Sequence, residues 1–262
     1  MEKLESPPER SSWTRHLCSS IGIDWHVELE LLLLTFATGM QDAISFPDFH
    51  CFASNQTGNT VILAVASAGL GHGLFDIANI GVSLAMFLAG AIITGQLAHF
   101  VGPRRRAWLL LSHLMQTAMA FGAGVIQLVY GERETGPTAL GALTLLAFSS
   151  GAQVASMRPL RIQEITTAMA TAAWVDLVID PDLLTMKNHP RNRRAWFLVA
   201  LVAGSFAGGF SHKDLGSAYT LLIAAAGKAL VLLGLFFNRS VATEPSEKSK
   251  WSLKCAEEAR PG

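Results

Sequence analysis

The segment FATGMQDAISFP (36–47) has a counterpart 112 residues later in the chain, FSSGAQVASMRP (148–159). Both copies have Phe, Gly, Gln, Ala and Pro at the same places, without a gap. A second pair follows at nearly the same spacing, with LAGAIITG (88–95) opposite VAGSFAGG (202–209). Matched proline and glycine positions in two apolar regions indicate an internal duplication of the chain.

The composition of the chain is that of a membrane protein. Of its 262 residues, 50% are hydrophobic and only 15% are charged, whereas soluble domains carry about 25% charged residues. The expected partner is therefore the lipid bilayer. Basic and acidic residues number 20 each, which gives no general attraction to nucleic acid. Three widely separated cysteines predict neither a disulfide framework nor a metal cluster.

Six apolar segments are predicted to be membrane-spanning helices, which need roughly 20 residues each. Five are long enough, and the sixth, 195–210, is shorter but contains no charge. These segments are 29–46, 77–101, 107–130, 138–157, 195–210 and 216–237. Two further apolar stretches, 57–70 and 165–179, are too short to span on their own. The polar ends at 1–26 and 241–262 are predicted to be flexible, which leaves a single transmembrane domain over residues 27–240.

The distribution of basic residues favours six spans with both termini in the cytoplasm, where Lys and Arg are retained. If neither short stretch crosses, seventeen of the twenty basic residues share one face. Only Arg133 and Lys213 lie opposite, and Lys228 lies inside a span. If both short stretches cross the membrane, the excess of basic residues on the cytoplasmic face is smaller, and the arginine block at 104–106 faces outward. The plasma membrane is the favoured location.

Three spans in each copy give the two copies opposite orientations. The copies cover about 29–130 and 138–237, and each has one short stretch at the same place. Inverted repeats whose half-spanning helices meet near the membrane midplane are common in transporters and channels. The predicted fold is all-α: a polytopic membrane protein with six spanning helices and two short helices, for which re-entry is favoured over crossing, arranged as an inverted repeat.

Six residues are candidates for binding a small solute. They are Asp42, Asn55, Thr57, Asn59, Thr171 and Lys228. Asp42 and Lys228 fall within predicted spans, where a charge is costly and normally faces protein or water. Lys228 could pair with Asp42 or Asp176, or be held by backbone carbonyls. For Asp42, the alternative to a functional role is a carboxylate that reaches the outer interface or caps the following short stretch.

The other four candidates lie in, or just before, the two short stretches. Asn55, Thr57 and Asn59 lie at the head of the first, and Thr171 belongs to the second. Such side chains cap the free N–H groups of a helix start, where the helix dipole favours an anion. The stretches are therefore either binding elements or well-capped half-helices, and both interpretations stay open.

The run TFATGMQDAISFPDFHCFASNQTGNTVILA (35–64) resembles the signature of the YoaK family (DUF1275) of multi-spanning membrane proteins. The residues that match its G-x-x-D-A and T-G-N motifs are Gly39, Asp42, Ala43, Phe52, Thr57, Gly58 and Asn59. The second half matches through Gly151, Gln153 and Pro159, but has Thr171-Ala172 in place of a second Thr-Gly. The resemblance covers about 30–237 and implies an integral membrane protein without specifying a substrate.

The predicted function is a small-solute transporter or channel whose site lies between the two half-helices near the midplane. The alternative is a non-transporting scaffold or accessory protein that supports a membrane-associated pathway, for example a biosynthetic one. The chain has no nucleophile elbow, phosphate loop or metal-ligand spacing. We therefore predict no catalytic residue, no metal, no cofactor and no enzymatic activity, and leave a homo-oligomer open.

Overall fold

A computed structural model describes residues 16–17, 19–71, 73–185 and 187–241. Over these residues the fold is helical, which confirms the predicted all-α class. The helices are α1 (Trp25–Phe49), α2 (Gln56–Ser67), α3 (Ile77–Val101), α4 (Arg106–Tyr130), α5 (Pro137–Met157), α6 (Thr171–Val178), α7 (His189–Leu215) and α8 (Ser217–Phe237). A short 3-10 turn, Arg158–Leu160, follows α5. Two short strands, β1 (Ser20–Ile21) and β2 (Ser240–Val241), pair antiparallel.

Within the described residues, five helices are long and apolar enough to cross a membrane: α3, α4, α5 with its 3-10 extension, α7 and α8. Helix α1 is also 25 residues long, but its many polar residues lower its mean hydropathy. Several of them, including Thr35, Thr38, Gln41 and Ser45, are buried. Helices α3 and α7 instead leave apolar side chains such as Ile92 and Phe206 exposed, as lipid contact requires.

Side-chain caps fix where several helices begin. The Asp24 carboxylate accepts hydrogen bonds from the N–H groups of His26 and Val27 at 3.1 and 3.2 Å, so α1 begins at Trp25. Asp76 caps α3 in the same way, and Asn188 caps α7. Such caps satisfy N–H groups that have no partner inside the helix.

The helix ends gather at two ends of the bundle. At the end that carries β1 and β2, the strand end, Ile21 donates to the Arg104 carbonyl at 3.0 Å, and Arg193 pairs with Glu28 at 2.5 Å. At the far end, the Asn79 amide donates to the carbonyls of Phe49 and Glu134. Helices α1, α4 and α7 therefore run away from the strand end, and α3, α5 and α8 run towards it.

Each short helix lies in a segment that starts and finishes at the same end of the bundle. The segment 50–76, with α2, joins α1 to α3 at the far end, and the segment 161–188, with α6, joins α5 to α7 at the strand end. At 1.5 Å per residue, the 12 residues of α2 extend about 18 Å and the 8 of α6 about 12 Å. Both fall short of a hydrocarbon core of about 30 Å.

Helices of one half pack mainly against helices of the other. The most extensive pairs are α3 with α5, α1 with α7, and α4 with α8. In the duplication, α1 corresponds to α5, α3 to α7 and α4 to α8. Replacing each helix by its counterpart therefore converts the α3–α5 pair into the α1–α7 pair and leaves the α4–α8 pair as it is. Glycines permit the close approach: Gly39 and Gly204 in the α1–α7 pair, and Gly90 and Gly151 in the α3–α5 pair.

Residues near the described termini are packed, which differs from the expected flexibility of residues 1–26. Ile21 is fully buried in the same apolar cluster as Leu31. The Arg106 side chain, also fully buried, donates to the Phe236 carbonyl at 3.0 Å and to that of Asn238. The chain before α1 and the chain after α8 are therefore joined at the start of α4. The predicted flexibility of residues 1–15, 18 and 242–262 falls outside the described residues.

Candidate functional site

A layer of buried polar side chains crosses the bundle at mid-height, between two apolar clusters. One cluster lies at the strand end and includes Leu31 and Leu235; the other lies at the far end and includes Ile44 and Leu143. The polar residues between them, here called the polar layer, come from α1, α4, α5 and α8. They are Thr35, Thr38, Gln41, Ser112, His113, Gln116, Thr117, Ser149, Ser150, Gln153 and Lys228.

Lys228 is the charged residue of the polar layer. Its side chain is 2% exposed, and its ammonium donates to Gln153 Oε1 at 2.8 Å and to Ser149 Oγ at 3.3 Å. The charges of Lys228 and Asp42 attract each other, but the two side chains form no ion pair among the described residues. The predicted alternative partner, Asp176, is half exposed and lies 4.0 Å from Arg194. Pairing of Lys228 with Asp176 is therefore wrong.

Two glutamines join α1 to α5 within the layer. Gln41 Nε2 donates to Ser150 Oγ at 2.8 Å, and Gln153 Nε2 donates to Thr38 Oγ1 at 2.9 Å. Gln41 and Gln153 are matched in the duplicated segment, and so are Thr38 and Ser150. The two hydrogen bonds are therefore equivalent: in each, the glutamine of one copy donates to the hydroxyl of the other copy. The matched glutamines were the sequence signal for this site, and the candidates chosen from the sequence omit them.

Helix α4 contributes polar atoms that have no partner in the described part of the chain. His113 Nδ1 lies 3.0 Å from the Leu109 carbonyl. Since that nitrogen must donate, Nε2 of a neutral ring is left as an acceptor. His113 Nε2, Gln116 Oε1 and Thr117 Oγ1 are all buried without a hydrogen bond. Buried polar atoms are normally paired, so these three atoms distinguish the α4 side of the layer from the α1–α5 side, where the glutamine amides are bonded.

Asp42 tethers the loop before α2. Its carboxylate accepts from the Ser54 N–H at 2.9 Å and from the Ser54 hydroxyl at 2.5 Å. Asn59, which is fully buried, fixes the same loop: its carbonyl accepts from the Phe52 N–H at 2.8 Å, and its amide donates to the Phe52 carbonyl at 2.7 Å. These contacts hold the far-end loop against the bundle.

The remaining predicted residues lie on the outside. Asn55 is exposed and caps α2 by accepting from the Gly58 N–H at 3.2 Å. Thr57 and Thr171 are exposed, and Thr171 begins α6 at the strand end. Each short helix buries a single residue of its own, Asn59 or Ala173.

The six predicted residues are therefore not brought into one site. The expectation that the two half-helices meet near the midplane does not match their main contacts, because α2 packs on α3 and α6 on α7. The physical reason is that the long helices fill mid-height with their own polar side chains. Lys228 alone belongs to the polar layer.

A second polar cluster, absent from the sequence predictions, joins four long helices at the far end. The Asp48 carboxylate, on α1, accepts from Gln127 Nε2 at 2.9 Å and from the Ser217 hydroxyl, and lies 3.4 Å from His212 Nε2. These partners come from α4, α8 and α7. No group of three His, Cys, Asp or Glu side chains suited to a metal ion occurs in the described ranges.

A bundle with five helices able to cross a membrane and a buried polar layer between apolar clusters defines a multi-helix membrane protein. The chain belongs to the DUF1275 family, described as "protein of unknown function", whose family model matches residues 31–234. The resemblance seen in the sequence is thereby confirmed. No curated protein matches the chain, and neither does any solved structure.

Proposed function

We propose that the chain is a six-span membrane protein, not an enzyme, that moves a small polar solute through the polar layer. The sixth span is α1, whose polar side chains are buried and whose length, 25 residues, suits a bilayer. The return of 50–76 and 161–188 to the ends they leave supports six crossings. With the strand end cytoplasmic, seventeen of the twenty basic residues lie inside, as expected in the plasma membrane.

The proposal includes an inverted repeat of three spans, α1, α3 and α4 followed by α5, α7 and α8. Each helix runs opposite to its counterpart in the other half, as the two ends of the bundle indicate. The exchanged helix pairs and the exchanged Gln41 and Gln153 bonds support this relation. In transporters built this way, the solute site lies where the two repeats meet, near mid-membrane.

The observation that carries the proposal is Lys228, an ammonium buried at mid-height with only neutral acceptors in contact. A charge inside the membrane is costly and normally marks a functional position. Unpaired acceptors on His113 and Gln116 are in the same layer. The positive charge favours an anionic group on the solute, and the free acceptors favour a solute that also has hydrogen-bond donors.

Transport through this layer can be tested in proteoliposomes loaded against a labelled mixture of amino acids, carboxylic acids and sugars. We expect the wild-type protein to accumulate at least one component above empty vesicles, and Lys228→Met to lose that uptake by tenfold or more. Lys213→Met, an exposed lysine on α7, is the matched control and should transport normally. Uptake by Lys228→Met at the wild-type rate, or none by the wild type, would contradict the proposal.

A scaffold or accessory protein is the second candidate. It is favoured by the closed pairing of Gln41, Gln153 and Lys228, whose hydrogen bonds also serve to hold the two halves in register. In this case no component of the mixture moves. A partner would then co-purify in fixed proportion from native membranes, equally with the wild-type protein and with Lys228→Met.

A further inference from the structure

A pocket lies at the strand end, between the last turns of α5 and the segment that follows it. Its volume is about 300 Å³. Its lining is mixed: Met157, Ile162 and Ile165 are largely buried behind it, and Arg158 and Arg161 are exposed beside it. The pocket therefore combines a surface for hydrocarbon with two positive charges.

Both arginines are available for a ligand. Arg158 and Arg161 are exposed, and neither forms an ion pair within the described residues. The one side-chain contact recorded for Arg158 is to the Met169 sulfur, at 3.8 Å. Glu164, their nearest acidic neighbour in sequence, lies 3.8 Å from Arg193 instead. Two guanidinium groups without a carboxylate, beside an apolar wall, suit a phosphate attached to hydrocarbon.

The fold itself does not require arginine at these positions. In the duplicated segment, Arg158 corresponds to Phe46 and Arg161 to Phe49. Phe46 stacks on Phe52 with ring centroids 4.8 Å apart, and Phe49 is buried in the far-end cluster. The first copy therefore has apolar, packed side chains at the two positions where the second copy has exposed arginines.

We propose that this pocket binds the phosphate group of an anionic phospholipid, with Arg158 and Arg161 on the phosphate and the acyl chain against Ile162 and Ile165. The pocket lies at the end of α5, where a spanning helix would reach the headgroup region. Basic pockets at the cytoplasmic ends of membrane helices bind such headgroups. The cytoplasmic location rests on the proposed topology, whereas binding itself depends neither on orientation nor on transport.

The test uses the full chain in nanodiscs of phosphatidylcholine with a minor fraction of phosphatidylglycerol, with retained lipid counted by native mass spectrometry. We expect the wild-type protein to retain phosphatidylglycerol preferentially and the Arg158→Gln/Arg161→Gln variant to bind it about tenfold or more weakly, since charge-assisted bonds are lost. Arg161→Lys keeps the positive charge, so it should bind phosphatidylglycerol more strongly than the double glutamine variant and more weakly than the wild-type protein. Arg105→Gln, which removes an exposed arginine at the same end, is the control for loss of a surface charge outside the pocket and should retain lipid normally.

Competition with inorganic phosphate separates a lipid from a soluble anion. Phosphatidylglycerol that resists displacement by phosphate supports the proposal. Arginine-dependent binding of phosphate without preference between the two lipids would overturn the lipid assignment. Retention by the double variant equal to that by Arg105→Gln would overturn the site altogether. Gel filtration of every variant verifies that the fold is intact, and a lack of solute transport by the wild type leaves each of these results unaffected.

Discussion

Gly204 on α7 lies directly against the backbone of Phe36 on α1. A Cβ added at Gly204 would lie 2.1 Å from the Phe36 carbonyl oxygen, closer than atoms in contact permit. The counterparts of these residues in the other pairing, Gly90 and Phe148, give 2.3 Å for the same added atom. Only glycine, whose side chain is a hydrogen atom, fits at these two positions, and this close fit allows the two halves of the chain to pack against each other.

Gly204→Ala should destabilise the bundle, because the added methyl group forces α1 and α7 apart. Overpacking of this kind costs about 1–3 kcal/mol, which thermal unfolding in detergent detects as a lower midpoint. Gly209→Ala, on the same helix, is the control because an added Cβ has no atom within 4 Å. It should leave the midpoint unchanged or raise it slightly, since alanine favours helix by about 1 kcal/mol. Equal midpoints for the two variants would count against close α1–α7 packing.

Asn59→Ala should open the loop between α1 and α2. The change leaves the Phe52 N–H without its partner, at about 1–3 kcal/mol, and removes one of two donors to the Phe52 carbonyl, which still accepts from the Ser83 hydroxyl at 2.6 Å. Cys51, which is fully buried in this loop, reports the opening. Burial raises the pKa of its thiol to about 12, so it should react slowly with maleimide in the wild-type protein. In Asn59→Ala the reaction should be at least tenfold faster.

The labelling is measured in a Cys18→Ser/Cys255→Ser background, so that Cys51 is the only thiol present. Asn55→Ala is the matched control, because Asn55 is exposed and caps α2 with a single bond. Its loss should cost about 1 kcal/mol and leave Cys51 protected. Labelling of Cys51 at the wild-type rate in Asn59→Ala would argue that Asn59 does not hold this loop.

Asp48→Ala should be more destabilising than Asp48→Asn. An asparagine carbonyl at this position still accepts from Gln127 or Ser217 and loses mainly the attraction to His212. Alanine leaves all three partners without an acceptor, at about 1–3 kcal/mol for each that stays buried. Thermal unfolding of the two variants measures the difference. Similar midpoints would mean that the partners of Asp48 find other acceptors, and that the cluster contributes little to joining α1, α4, α7 and α8.

Much of the fold was predictable because long apolar segments have few alternatives in a membrane. The segment 77–101 agrees with α3 at both ends, and α4, α5 and α8 begin within one residue of their predicted starts. Helix α7 begins six residues before the predicted 195 because Asn188 caps it and its first turns are basic. Hydropathy does not detect such a start, since charged residues continue a helix into the headgroup region.

The candidate site was predicted less well. Lys228 was found because a charge within an apolar run is conspicuous, but Gln41, Gln153 and His113 are neutral, and their importance depends on which helices face one another. The polar head of α2 was also conspicuous, and its Asn59 is fully buried, with hydrogen bonds to Phe52 and Ser83. A sequence shows which side chains can bind or cap, whereas the partners of such a side chain depend on how the loop and α3 meet in the fold.

The buried guanidinium of Arg106 also bears on the order in which the protein is made. Its acceptors, the carbonyls of Phe236 and Asn238, are synthesised about 130 residues after it. Until α8 and the residues after it are synthesised, the guanidinium lacks these two acceptors, and the contacts that join the start of α4 to the end of α8 cannot form. In a chain cut short before α8, Arg106 keeps only the partners made before it, the attraction of Glu30 and the contact with His16.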